Sequence, residues 1–169
     1  MKTPICSICL GSDILCKACK TKLDNGLISN SDVNISRIVY DLSKEIKSLD
    51  KVTIEKIIET DNFVVIICGK GDTPNMIGKG GIVVKKLSKI IKKNVKIVEK
   101  ADNMKDFAQK LFYPLHVLGI NIVYKPEGDA YKIVLAHRKV PIEKSLVDVL
   151  KIVFGKEVII DYHEKDSGG

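Results

Sequence analysis

Residues 75–86 read NMIGKGGIVVKK. Three glycines surround one lysine, directly ahead of an apolar run that carries further lysines. A glycine-rich loop opening a helix can hold a phosphate, because the first amides of the helix lack partners and point outward. Counting residues removes the two nucleotide-enzyme templates. A P-loop needs glycine, four residues, then Gly-Lys-Ser/Thr, but Thr73 stands five before Gly78 and Gly80 follows Lys79. A dinucleotide fingerprint needs a third glycine where this chain has Val83. What is left is G-x-x-G, as Gly78-Lys79-Gly80-Gly81. Such a stretch suits a phosphodiester backbone, which approaches closely where no Cβ intervenes, or a tight turn between two helices.

The sequence around the loop favours the first reading. Upstream, Ile35, Ile38, Val39, Leu42, Ile46 and Leu49 recur at helical spacing and predict an amphipathic helix over 32–49. Residues 51–60 and the apolar run 63–68 predict two strands turning at Asp61-Asn62. Asp72, Thr73 and Pro74 start a short helical turn. Downstream, Val83, Val84, Leu87, Ile90 and Ile91 predict a helix over 82–93, followed by the alternating strand NVKIVEK. The order over 32–100 is α-β-β-α-α-β. A weaker copy, α-β-β-α-β, follows over 103–163, with helices in NMKDFAQKLFYP and PIEKSLVDVLKIVFG and strands in LHVLGINIVYK, DAYKIVLAHR and KEVIIDYHE. This reads as an internal duplication. Its second copy runs from Ala136 into HRKVPIEK with no G-x-x-G. Residues 164–169 read as a flexible tail.

Charge is concentrated at the loop. Residues 70–100 hold nine of the 28 basic residues and two of the 21 acidic ones, a surplus equal to the net charge of +7. A localised basic segment favours a polyanionic partner over a merely solvated helix face. Lysine predominates, with only Arg37 and Arg138 as arginines. Lysine suits backbone phosphate more than base edges. Lys125 and Arg138-Lys139 read either as an extension of that surface or as ordinary solvated charges.

The chain opens with CSICLGSDILCKAC, which sets Cys6, Cys9, Cys16 and Cys19 as C-x2-C-x6-C-x2-C. Two such pairs close around one tetrahedral ion. The reading is one structural four-thiolate zinc, with an iron site or a dithiol redox role as alternatives. Residues 1–25 form this metal bead and its linker, and KTKLDNGLISNSD reads as polar connection. Cys68 reads as a buried small hydrophobe. His116, His137 and His163 are scattered without a partner at catalytic spacing, so no catalytic residue is assigned. The longest strong apolar run, FVVIIC, is too short for a bilayer, and the N-terminus lacks a secretory h-region. Cytoplasmic location with no membrane partner is the expectation.

At this point the sequence resembles a known family. Residues 32–100, with IGKGG and VVKKLSKIIKKNVKIVE, resemble a type II KH module, and the pairing with 101–163 through DFAQKLFYPLHVLGINIVY resembles the archaeal NusA-like proteins. The resemblance implies an α+β fold with a degenerate KH-like repeat lacking the loop. It also implies single-stranded RNA clamped at Ile77, Gly78, Lys79, Gly80 and Gly81, with Lys70, Lys85 and Lys86 nearby. A role in transcription is implied only loosely, because the cysteine segment lies outside that two-module pattern. No small-molecule substrate is expected; RNA polymerase or the ribosome would be the protein partner of an adaptor.

Overall fold

In a computed structural model, described over residues 1–136 and 141–163, the chain is a mixed α+β protein with two three-stranded sheets. It divides into two compact units, Met1–Lys100 and Ala101–Gly169. His137, Arg138, Lys139 and residues 164–169 lie outside the described residues.

The first unit begins with two short helices, α1 (Ser7–Leu10) and α2 (Lys17–Asp24). Helix α3 (Asn30–Ser43) starts two residues earlier than its apolar periodicity predicts, because Ser29 and Asp32 form a reciprocal capping box. The buried Asp32 does more than cap. One carboxylate oxygen accepts from the Ser29 amide at 2.8 Å and hydroxyl at 2.9 Å, and the other accepts from Ile57 N–H at 2.7 Å. This joins the helix start to the sheet.

The helix expected over 32–49 stops at Ser43, which corrects the sequence reading. Ile46 is extended and a 3-10 turn runs over Lys47–Lys51. Leu49 still reaches the core together with Ile35, Val39 and Leu42. The apolar spacing served burial there, without continuing the helix. That turn also shortens the strand expected over 51–60 to β1 (Ile54–Glu59).

Strand β2 (Phe63–Cys68) pairs antiparallel with β1 and parallel with β3 (Asn94–Glu99), giving the order β1-β2-β3. Its Val64, Val65, Ile66, Ile67 and Cys68 are all buried, as a continuous apolar run requires of a central strand. Between β2 and β3 come α4 (Thr73–Ile77) and α5 (Ile82–Ile91). Met76, Val83 and Leu87 fix both helices onto the core. At the outer edge of β1, Lys2 pairs in parallel with Thr53; Lys2 N–H donates to Val52 O at 2.9 Å and Ile54 N–H to Lys2 O at 2.8 Å.

The second unit runs α6 (Met104–Phe112), β4 (Val117–Val123), β5 (Ala130–Leu135), α7 (Lys144–Phe154), β6 (Glu157–Tyr162). Its sheet, β4-β5-β6, has the same antiparallel-then-parallel order. Phe154 of α7 meets Phe107 and Tyr131 edge-on, which ties both helices to β5.

Candidate metal centre and glycine loop

The sulfurs of Cys6, Cys9, Cys16 and Cys19 all lie within 4.8 Å of one another. Local structure brings them there. Cys6 and Cys16 stand at the N-caps of α1 and α2, so each C-x2-C pair wraps a helical first turn. The two pairs are also cross-linked by backbone. Cys6 N–H donates to Cys19 Sγ at 3.4 Å and Cys16 N–H to Cys9 Sγ at 3.1 Å. Cys9 and Cys19 are buried, while Cys6 and Cys16 lie nearer the surface.

The donor set fits a metal ion. Sulfur bonds of about 2.3 Å to a tetrahedral ion place the sulfurs about 3.8 Å apart. Here Cys6 and Cys9 are separated by 3.4 Å, and Cys6 and Cys16 by 3.8 Å. The thiols also respond unequally to their shared site. The Cys9 amide, then the neighbouring thiols, pull Cys6 down to about 7, and the Cys19 amide acts the same way on Cys16. Cys9 and Cys19 receive amides from Cys16 and Cys6, yet burial and the surrounding thiols outweigh these and push both upward. Four thiolates cannot coexist there without a cation between them. Cys6, Cys9, Cys16 and Cys19 therefore sit together as a candidate four-thiolate metal site.

This segment is built into the first unit and is no separate bead. Ile5, Cys9, Leu10, Cys19 and Ile28 form one apolar cluster with Val33 of α3, and Leu15 and Tyr40 pack against it. The stretch expected to be a polar linker supplies part of α2, and Ile28 is buried. Such anchoring is needed. Burying Ile5 and Leu10 gains about 1.5–3 kcal/mol each, far less than ordering some 25 residues costs at about 1–2 kcal/mol apiece.

The glycine loop lies between α4 and α5. Gly78, Gly80 and Gly81 have φ of +74°, +63° and +75°, a region that side chains enter at a cost. Their roles differ. A Cβ on Gly78 would lie 2.7 Å from Val83 Cγ2 and 3.0 Å from Ile82 Cγ2, so this glycine lets α4 and α5 pack. A Cβ on Gly80 would meet nothing within 4 Å, and on Gly81 only Lys85 Cε at 3.9 Å. Those two leave open backbone. Gly81 caps α5 without a side-chain oxygen. Asp72, the N-cap of α4, spends its carboxylate on Thr53 N–H at 2.8 Å instead, which pins the loop's approach to β1.

The lysines counted in the sequence do not act together. Lys85 Nζ donates to Gly80 O at 3.1 Å and stays beside the loop. Lys86 pairs with Glu45 at 2.9 Å, Lys93 with Glu59 at 2.8 Å, and Lys100 with Glu55 at 3.5 Å. These acids lie outside 70–100, so the sequence surplus overstates the local charge. Lys96 is half-buried on β3, and burial pulls its pKa down. Lys70 precedes α4 and is exposed. Exposed Ile77 ends α4 beside exposed Lys79. Sequence reasoning missed Ile82 and Lys89, which share the exposed face of α5 with Lys85 at i, i+3 and i+7. That spacing was legible from the start of the helix. Cys68 is buried, its thiol 3.5 Å from Thr73 Oγ1, and burial pushes its pKa up.

No family model matches the chain, and no curated protein matches it. Among solved structures, the one described as "Crystal structure of APE1850" is similar, with TM-score 0.58 and 22% identity over 74% of this chain and 96% of that chain. At this identity the likeness concerns the fold alone. Among the described residues no helix is long and apolar enough to cross a membrane.

Proposed function

We propose that this is a non-enzymatic RNA-binding protein that grips the backbone of single-stranded RNA at Gly78-Lys79-Gly80-Gly81. Residues 32–100 would act as a type II KH module, 101–163 as a degenerate KH-like repeat, and the four cysteines as a structural zinc site, in the manner of archaeal NusA-like proteins. The observation that carries the reading is the loop itself. Open backbone at Gly80 and Gly81 meets the uncapped start of α5, with Lys79 and Lys85 alongside. Phosphate oxygens are the natural acceptors for such a surface. Four sulfur donors fill a tetrahedral ion and leave no coordination position for chemistry, which supports zinc as structural.

A second reading, compatible with the first, is an adaptor that docks on RNA polymerase or the ribosome through the cysteine segment. It is favoured by Ile8 and Ile14, which are 75% and 79% exposed there.

One experiment separates them. Lys79→Asp with Gly80→Asp should abolish single-stranded RNA binding while thermal melting is kept, because Gly80 has room and Asp tolerates its left-handed backbone. Wild-type affinity should also fall steeply with salt. Unchanged affinity in the double variant rules out the RNA reading. Replacing Ile8 and Ile14 by Ser should leave RNA affinity intact and weaken binding to purified polymerase or ribosomes; equal binding removes the adaptor reading.

A further inference from the structure

Along α3, Val33, Arg37 and Tyr40 fall at i, i+4 and i+7 and share one face. Val33 and Tyr40 belong to the apolar cluster shared with the cysteine segment, so Arg37 lies between them against that segment. Its Nε donates to the carbonyl oxygen of Cys9 at 3.0 Å. Its Nη2 is buried with no hydrogen-bond partner among the described residues. A guanidinium keeps its charge throughout the working pH range. A buried cation ordinarily faces a carboxylate, yet the acids of α3 are engaged elsewhere. Asp32 is held by Ser29 and Ile57, and Asp41 pairs with Lys44 at 2.6 Å.

A metal-loaded cysteine cluster would put negative charge on the segment that Arg37 holds. Four thiolates around a divalent ion carry a formal charge of −2, and one of them belongs to Cys9, whose backbone Arg37 holds. We propose that Arg37 is a positioning residue for a metal centre at Cys6, Cys9, Cys16 and Cys19. It fixes the Cys9 backbone and supplies the positive charge that offsets the anionic centre, complementing the amides of Cys6, Cys16 and Cys19 that donate to sulfur. Without metal, Arg37 Nη2 is buried with no hydrogen-bond partner among the described residues. With metal it is compensated. Arg37 therefore favours the loaded state over the empty one, in contrast to a residue that only packs.

The inference rests on the metal reading of the cluster, and the test separates the two. Full-length wild type, Arg37→Met, Arg37→Gln and Arg37→Lys are loaded with Zn2+ or Co2+, titrated with a competing chelator, and melted both loaded and metal-free. Wild type should bind one ion per chain. Arg37→Met should lose about 10–100-fold in metal affinity, the range for outer partners of metal ligands. Its melting temperature should fall only when loaded. Arg37→Gln keeps a donor without charge and should behave like Arg37→Met; it stands in where Met does not fold. Arg37→Lys should recover part of the affinity. The thiolate-to-Co2+ charge-transfer band should persist in every variant, showing all four ligands in place. Unchanged affinity in Met and Gln, or equal destabilisation with and without metal, overturns the role of Arg37. Failure of wild type to bind metal overturns the metal reading as well.

Discussion

The two units carry the same sheet with different attachments. In each, an antiparallel pair is followed by a parallel one. Each hairpin also shifts register at the same place, between Ile54 and Lys56 in the first and between Val117 and Gly119 in the second. The helices after the middle strands end alike, with Lys92 and Gly155 both left-handed two residues before the next strand. The link from middle strand to helix differs. In the first unit residues 69–81 hold α4 and four glycines with positive φ; in the second the link spans 136–143. The two sheets share their order, while the link from middle strand to helix differs and in the first unit adds Met76 to the core.

Metal removal should divide the units most widely. Structural zinc in small modules contributes about 10–16 kcal/mol, comparable with the whole stability of a domain. Under a chelator, amide exchange should rise by orders of magnitude in residues 1–43 and stay unchanged in β4–β6. Equal exchange in both units, or none in either, breaks the assignment of the cysteine site to the first unit's stability.

A smaller effect tests the loop itself. Gly78→Ala should cost about 2–4 kcal/mol in urea unfolding, from its backbone conformation and the clash with Val83. Gly80→Ala and Gly155→Ala meet open space and should cost only about 1 kcal/mol each. A Gly80→Ala loss equal to that of Gly78→Ala would make the loop wholly structural and remove the distinction from the second unit.

The smallest change makes the two helix ends identical. Lys92 is the one non-glycine residue with positive φ among the described residues. Lys92→Gly should raise stability by up to about 1 kcal/mol, read as a higher melting temperature. A lower one would show that the Lys92 side chain stabilises the helix end beyond its strain.

Much of this was legible locally. The hairpin at 61–62, the middle strands and α5 follow from apolar patterning within each segment, and the cysteine spacing alone announced a candidate metal site. The start of α3 was also readable, since Ser29 and Asp32 form a capping pair three residues apart. The rest depends on partners distant in sequence. Ile46 and Leu49 kept helical spacing although tertiary packing took them into a turn. Glu45, Glu55 and Glu59 neutralise lysines that a segment-by-segment count leaves free. The cysteine segment joins α3 through an apolar cluster with Val33 and Tyr40 and through Arg37 reaching Cys9, 28 positions away, which no local pattern reports.

The strap that Lys2 lays along β1 has a consequence for solubility. An open strand edge offers its amides and carbonyls to any neighbouring chain, and proteins guard such edges against self-association. Lys2 occupies the Val52–Ile54 stretch of that edge, and the residues that hold it there lead straight into Cys6. Damage to the cysteine site would thus do more than loosen a helix. It would uncover a template for chain-to-chain pairing, so aggregation is the expected sign of a disrupted cysteine cluster.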